Sequence, residues 1–173
     1  MGIHMVTLYL LRHGKAKSAA NLEDIARPLA ERGHQDADAM GARLAGCETK
    51  PSLVLCSTAQ RARETLAGVL PHLDRSYTIE IEEGLYTFEQ EVVLKRLQAI
   101  PRAHAAVLFV GHNPALETLT GSLCADGTPS AMKQLAIKFP TCALAELRFT
   151  TDDWASIGPK SGRLMQLATP NSE

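Results

Sequence analysis

Short apolar runs alternate along this chain with longer segments in which apolar residues recur at helical spacing. Residues 6–11 have the length and the β-branched and aromatic content of a buried strand. Residues 53–56, 77–81 and 105–110 follow as strands, and the last, the most apolar, is expected at the sheet centre. A helix is expected from Pro28-Leu29 to Gly46, with Leu29, Met40 and Leu44 on its apolar face. A second, capped by Ser57 or Thr58, runs through Leu66, Val69 and Leu70. A third covers 89–100 and stops at Pro101. Gly111-His112-Asn113-Pro114 then turns the fourth strand into another helix, with Pro114 suited to its first turn. The alternation breaks down in the last third, where 143–149 and 163–167 read as a hairpin-like pair at the sheet edge, separated by a polar loop at 150–161. The whole pattern predicts an α/β fold in which helices cover both faces of a mainly parallel sheet with an antiparallel edge.

The 173 residues suit one domain spanning 1–173. With 45% apolar and 21% charged residues, the chain has a globular composition. A net charge of −1 supplies no global field toward nucleic acid or an anionic membrane, so neither is expected as a partner. Any anion site must come from local clustering of Arg, Lys and His. No apolar run approaches the roughly 18 residues of a membrane span, and no signal-peptide pattern leads the chain, so a cytoplasmic location is expected. Residues 1–4 read as a cloning scar ahead of Met5, which leaves His4 outside the functional argument. Cys47, Cys56, Cys124 and Cys142 form no C-x-x-C pair and are expected to be reduced structural residues.

Three strand-to-helix junctions carry candidate chemistry. They are Arg12-His13-Gly14, the segment 57–65 with Arg61 and Arg63, and Gly111-His112-Asn113-Pro114. Taken alone, the first is equally compatible with a polar strand end that starts a loop. If the strands are parallel, however, all three junctions share one edge of the sheet, where ligand chemistry collects in open α/β folds. Two arginines and two histidines would then converge on one anion. In that arrangement His13 would attack phosphorus, with its second ring nitrogen held by a backbone carbonyl that fixes the tautomer. Arg12 and one of Arg61 and Arg63 would clamp the equatorial oxygens, because positions two apart on a helix face different ways. His112, if protonated, would donate to the same oxygens. Gly14 would permit close backbone approach, and Lys15 and Lys17 would raise the potential around an acidic substrate. Arg27 is expected in a surface salt bridge near the pocket rim.

These residues resemble the histidine phosphatase superfamily, the phosphoglycerate-mutase-like fold, through Arg12-His13-Gly14. The chain is most similar to short SixA-type phosphohistidine phosphatases. The matching segments are LYLLRHGKA at 8–16, ARPLAERG at 26–33, LVLCSTAQRARETL at 53–66, LFVGHNPALETL at 108–119, KFPTCALAEL at 138–147 and SGRL at 161–164. The resemblance implies a three-layer αβα sandwich. It also implies a phosphatase that needs neither metal nor cofactor and forms a covalent phosphohistidine at His13. Arg12, Arg61 rather than Arg63, and His112 take the remaining site roles.

The general acid is less determined. Sugar-phosphate members of the superfamily place a carboxylic acid after the third strand, where Glu83 fits best here, with Glu82 beside it. SixA-like members are thought to work without one, because a departing imidazole can be protonated on its own ring. The leading expectation is removal of phosphohistidine from a signalling or phosphotransfer protein. The alternatives are a small-molecule phosphomonoesterase with Glu83 as acid, acting on a phosphorylated metabolite, and a non-catalytic phosphoprotein-binding module. A binding module has no need of a nucleophile. A metal-dependent hydrolase would want carboxylates beside the histidines.

Overall fold

The computed structural model describes residues 2, 4–18, 20–74 and 76–171, so Met1 and Ile3 of the opening tetrapeptide lie outside the described residues. Seven strands among these residues form one sheet: β1 (Val6–Arg12), β2 (Leu53–Ser57), β3 (Thr78–Glu82), β4 (Ala106–Gly111), β5 (Cys124–Gly127), β6 (Leu144–Phe149) and β7 (Gly162–Ala168). Their order is β3-β2-β4-β1-β6-β7-β5. Pairing is parallel from β3 to β1 and between β7 and β5, and antiparallel where β6 meets β1 and β7. The helices are α1 (Glu31–Ala45), α2 (Gln60–Val69), α3 (Gln90–Gln98), α4 (Ala115–Leu123) and α5 (Pro129–Ile137).

The strand period explains the layering, since successive side chains leave opposite faces of a sheet. Leu8, Leu10, Leu53, Leu55, Val107 and Phe109 join Val93 and Leu97 of α3 and Leu116 and Leu119 of α4 in one apolar cluster. The alternate positions Tyr9, Leu11, Val54, Cys56, Leu108 and Val110 join Ala37, Met40 and Leu44 of α1 and Ala62, Leu66 and Val69 of α2 in another. Because β1, β2 and β4 are covered on both sides, they read as unbroken apolar runs. The result is a three-layer α/β/α arrangement.

Several local expectations are corrected. The first helix begins at Glu31 rather than Pro28, because Leu29 is held extended by a bridge to Ala16 and by donating its N–H to Glu64 Oε2 at 2.6 Å. The cap position of α2 is Ala59, whose N–H donates to Ser57 Oγ at 3.1 Å, while the buried Thr58 hydroxyl finds no partner. Pro114 precedes α4, and the Asn113 side chain accepts the Glu117 N–H at 3.2 Å in the first turn. β1 occupies the sheet centre, with the more apolar β4 beside it. β6 and β7 pair antiparallel as expected, but β5 lies outside them. β5 is only four residues long and mostly exposed, so it carries no apolar pattern to read.

The 150–161 loop leaves β6 opposite Val6, at the end of the sheet away from Arg12. It is anchored there by the fully buried Trp154, whose Nε1–H donates to His104 O at 2.7 Å. All four cysteines are free thiols. No helix among the described residues is long and apolar enough to cross a membrane.

Candidate active site

The sheet register brings the three junctions together. Arg12 lies opposite Gly111 across β1 and β4, and Cys56 lies opposite Val110 across β2 and β4, so the three carboxyl ends finish side by side. Beyond β1 the backbone stays in the ladder for one more residue: His13 N–H donates to Gly111 O at 3.1 Å, and His13 O accepts from Cys142 N–H at 3.0 Å. The histidine is therefore held as firmly as the strand itself.

Nδ1 of His13 donates to Gly14 O at 2.8 Å, which fixes the tautomer and leaves a lone pair on Nε2. Arg61 Nε–H donates to that nitrogen at 3.3 Å. Burial lowers the His13 pKa to about 4. Its bond to Gly14 opposes the shift, and the nearby Arg61, Arg12 and Arg27 cations reinforce it. His13 is consequently neutral at neutral pH.

Arg61 extends from the first turn of α2 and is only 3% exposed. Besides His13 it reaches Asp24 twice, with Nη1 donating to the backbone O at 2.7 Å and Nη2 to Oδ2 at 3.0 Å, and Nη2 lies 3.4 Å from His112 Nδ1. Arg63 faces away, exposed, and donates to Thr58 O at 3.0 Å. Helical geometry thus separates the two arginines. His112 is 1% exposed and packed behind the pocket wall; its Nε2–H donates to Ser57 Oγ at 2.7 Å. Burial first, then His13 and Arg61, lower its pKa to about 3, so it stands neutral instead of protonated. Arg12 donates from Nη1 to Phe139 O at 2.9 Å, while its buried Nε–H has no partner.

These groups border a cavity of about 500 Å³ lined by Arg12, His13, Lys15, Asp24, Arg27, Arg61, Tyr86, Phe88, Asn113 and Thr141 among others. Of the remaining expected residues, Lys15 reaches this wall and Lys17 does not. Arg27 both lines the pocket and pairs with Asp24 at 3.1 Å. Gly14 stands behind the pocket. Its N–H donates to Thr65 Oγ1 at 2.9 Å, and a Cβ there would lie 2.8 Å from Gly33 O, so it is Gly33 that requires the missing side chain.

Glu83 is not brought to the site. It is exposed, opens the short 3-10 turn Glu83–Leu85, and does not line the cavity. Glu82 is held by Arg96 at 2.7 Å, a pairing that lowers its pKa. The structure supplies instead three residues that sequence reasoning missed. Asp24 accepts from Arg61, Arg27 and the Tyr86 hydroxyl, and the Tyr86 bond first, then the arginines, pull its pKa to about 2. Phe88 is 46% exposed and meets the His112 ring edge-on at 5.6 Å, beside Tyr86 at 5.4 Å. Two aromatics so close together, in a chain with only 5% aromatic residues, were the available signal for this wall. Asp24, in an aperiodic polar loop next to Glu23, offered none beyond a pair of carboxylates between Lys17 and Arg27. Among the described residues, no group of three or more His, Cys, Asp or Glu is arranged to hold a metal ion.

Comparison with known proteins bears on the family and the fold. Residues 8–89 match the profile of the histidine phosphatase superfamily (branch 1). An uncharacterized protein of Mycobacterium tuberculosis is 32% identical over 162 residues, covering 92% of this chain and 99% of that one. SixA of Nakamurella multipartitia, provisionally designated a phosphohistidine phosphatase, superposes with a TM-score of 0.81 at 30% identity, covering 97% of this chain and 98% of its own. The protein histidine phosphatase SixA complexed with tungstate superposes with a TM-score of 0.75 at 26% identity, covering 95% and 97%. With its Arg-His-Gly strand end, its mostly parallel sheet and these relatives, the chain belongs to the histidine phosphatase superfamily, is of SixA type, and is a phosphatase.

Proposed function

We propose that this phosphatase removes phosphohistidine from a signalling or phosphotransfer protein through a covalent intermediate at His13, without a metal ion. The observation that carries the reading is His13 itself, with Nδ1 tied to Gly14 and an unprotonated Nε2 that accepts the Arg61 Nε–H at 3.3 Å. In the first step the Nε2 lone pair forms a bond to phosphorus as the substrate's P–N bond breaks, and the departing imidazole keeps the bonding pair. A proton on the other nitrogen of that ring lets it leave as a neutral group. Arg12 and Arg61 hold the equatorial oxygens. His112, neutral and packed behind the pocket wall, backs this clamp: its Nδ1 lies 3.4 Å from Arg61 Nη2 and its Nε2–H stays on Ser57. In the second step water attacks phosphorus, the Nε2–P bond breaks, and inorganic phosphate departs.

The carboxylates support a nitrogen leaving group over an alkoxide. An alkoxide needs a proton donor, yet Asp24 is the carboxylate lining the pocket, and its pKa near 2 keeps it ionised. Glu83 stands outside the pocket. A structural relative complexed with tungstate, a tetrahedral oxyanion, supports a phosphoryl site.

The test is trapping in an alkaline denaturing quench with a labelled phosphohistidine protein and a labelled sugar phosphate, comparing wild type with His13→Ala. Label stable to alkali, lost in acid and absent from the variant is expected with the phosphohistidine donor. If neither donor leaves a His13-dependent adduct, the covalent route is wrong. Glu83→Gln is expected to leave phosphohistidine cleavage unchanged. A selective loss on phosphate esters would instead make Glu83 an ester-specific acid.

A further inference from the structure

A second basic cavity opens beside the phosphoryl pocket. It has a volume of about 590 Å³, and Lys15 and Thr141 line both spaces, so the two are neighbours. Arg32 from α1 and Lys138 just beyond α5 join Lys15 in its walls. The carboxylate in these walls, Asp36, is already committed to Arg32 at 2.7 Å. Among the described residues, Lys15 and Lys138 enter no ion pair. On a chain of net charge −1, this is a local concentration of uncompensated positive charge.

We propose that this groove docks an acidic polypeptide segment beside the phosphohistidine of the protein substrate, a proposal that rests on the phosphohistidine reading above. A small substrate held at His13 meets Lys15 but has no means of reaching Lys138, because only Lys15 and Thr141 belong to both spaces. A polypeptide running across the surface reaches both. Its carboxylates face Lys15 and Lys138. Phe88 lines the phosphoryl pocket and not the groove, so the walls of the two spaces differ in chemistry.

The experiment uses two synthetic phosphohistidine peptides, one flanked by Asp and Glu and one by Ser and Gln, with phosphoramidate as the small substrate. At low salt the wild-type protein is expected to favour the acidic peptide in kcat/KM by about tenfold, with the preference shrinking as salt rises. Lys138→Glu is expected to abolish that preference and leave phosphoramidate turnover intact. Lys138→Gln, which removes charge without adding the opposite sign, is expected to fall between. Equal turnover of the two peptides by the wild type, or a preference that survives Lys138→Glu, overturns the docking groove alone. If neither peptide nor phosphoramidate is turned over in a His13-dependent way, the phosphohistidine reading falls and takes the groove with it. Self-association that Lys138→Glu abolishes would assign the groove to a second copy and also overturn the proposal.

Discussion

At the scale of single residues, the site works by keeping a histidine uncharged among cations. Burial and three neighbouring arginines hold His13 near pKa 4, well below the ordinary 6.5 of imidazole. A nucleophilic nitrogen must be unprotonated, so the attacking form persists down to about pH 4 and is lost below it. The acid limb of kcat/KM is therefore expected near pH 4, read with a donor whose own protonation is held fixed. A limb at 6.5 would show that His13 is solvated in the working enzyme. Arg61 repays similar attention. Its side chain touches His13, Asp24 and His112 at once, so Arg61→Ala is expected to cost at least about a hundredfold in kcat, as loss of a preorganised charge donor does. Arg63→Ala, on the outer side of the same turn, is expected to change kcat by less than about twofold.

At the scale of elements, the critical joint is where β1 hands over to the loop before α1. Gly14 and Gly33 pass each other at backbone distance, with a Cβ on Gly14 meeting Gly33 O at 2.8 Å and one on Gly33 meeting Lys15 O at 2.3 Å. The backbones cannot simply part, because Ala30 N–H donates to Lys15 O at 2.8 Å and Gly14 N–H to Thr65. Gly14→Ala is expected to destabilise by about 1–3 kcal/mol in urea denaturation, the usual cost of forcing extra volume into packed structure. It should also lower kcat, since Gly14 supplies the carbonyl that orients His13. Gly84→Ala, whose Cβ meets nothing within 4 Å, is the matching control and is expected to leave both unchanged.

At the scale of the whole molecule, the buried imidazoles tie folding to pH. Unfolded, both histidines bind a proton near 6.5; folded, His13 does so near 4 and His112 near 3. The unfolded chain thus holds more protons as pH drops below about 6.5, and stability falls with it. Urea midpoints are expected to be flat between about pH 7 and 8 and to decline from 6.5 toward 4, with His112→Asn flattening that decline. Asp24, lowered toward 2, adds its own loss only below the ordinary carboxylate range. Because the proposed chemistry routes every charge through Arg and His, phosphatase activity is expected to survive prolonged chelation. Abolition by chelator and recovery with a divalent cation would require a metal in the mechanism.

The order of β1 to β4 and of α1 to α4, the parallel sheet and the convergence of Arg12, His13, Arg61 and His112 were legible in the chain, whereas β5 and α5 were not. Apolar periodicity is a property of neighbouring residues, and parallel pairing follows from strands that alternate with helices. Helical spacing required only that one of Arg61 and Arg63 face the pocket; the family resemblance chose Arg61, and the structure puts Arg61 against His13 and Arg63 outside. Other features depend on where distant loops land. Asp24, Tyr86 and Phe88 come from aperiodic segments that meet only when β2 and β4 lie between β3 and β1. Glu83 fell out of the pocket because the chain turns into a short 3-10 helix at that residue, directing the next aromatics inward instead. The neutrality of His13 and His112, and the basic groove joining α1 to the end of α5, arise from burial and from charges far apart in the chain. Those are tertiary quantities, because desolvation and Coulomb energy depend on distance in space and not on position along the chain.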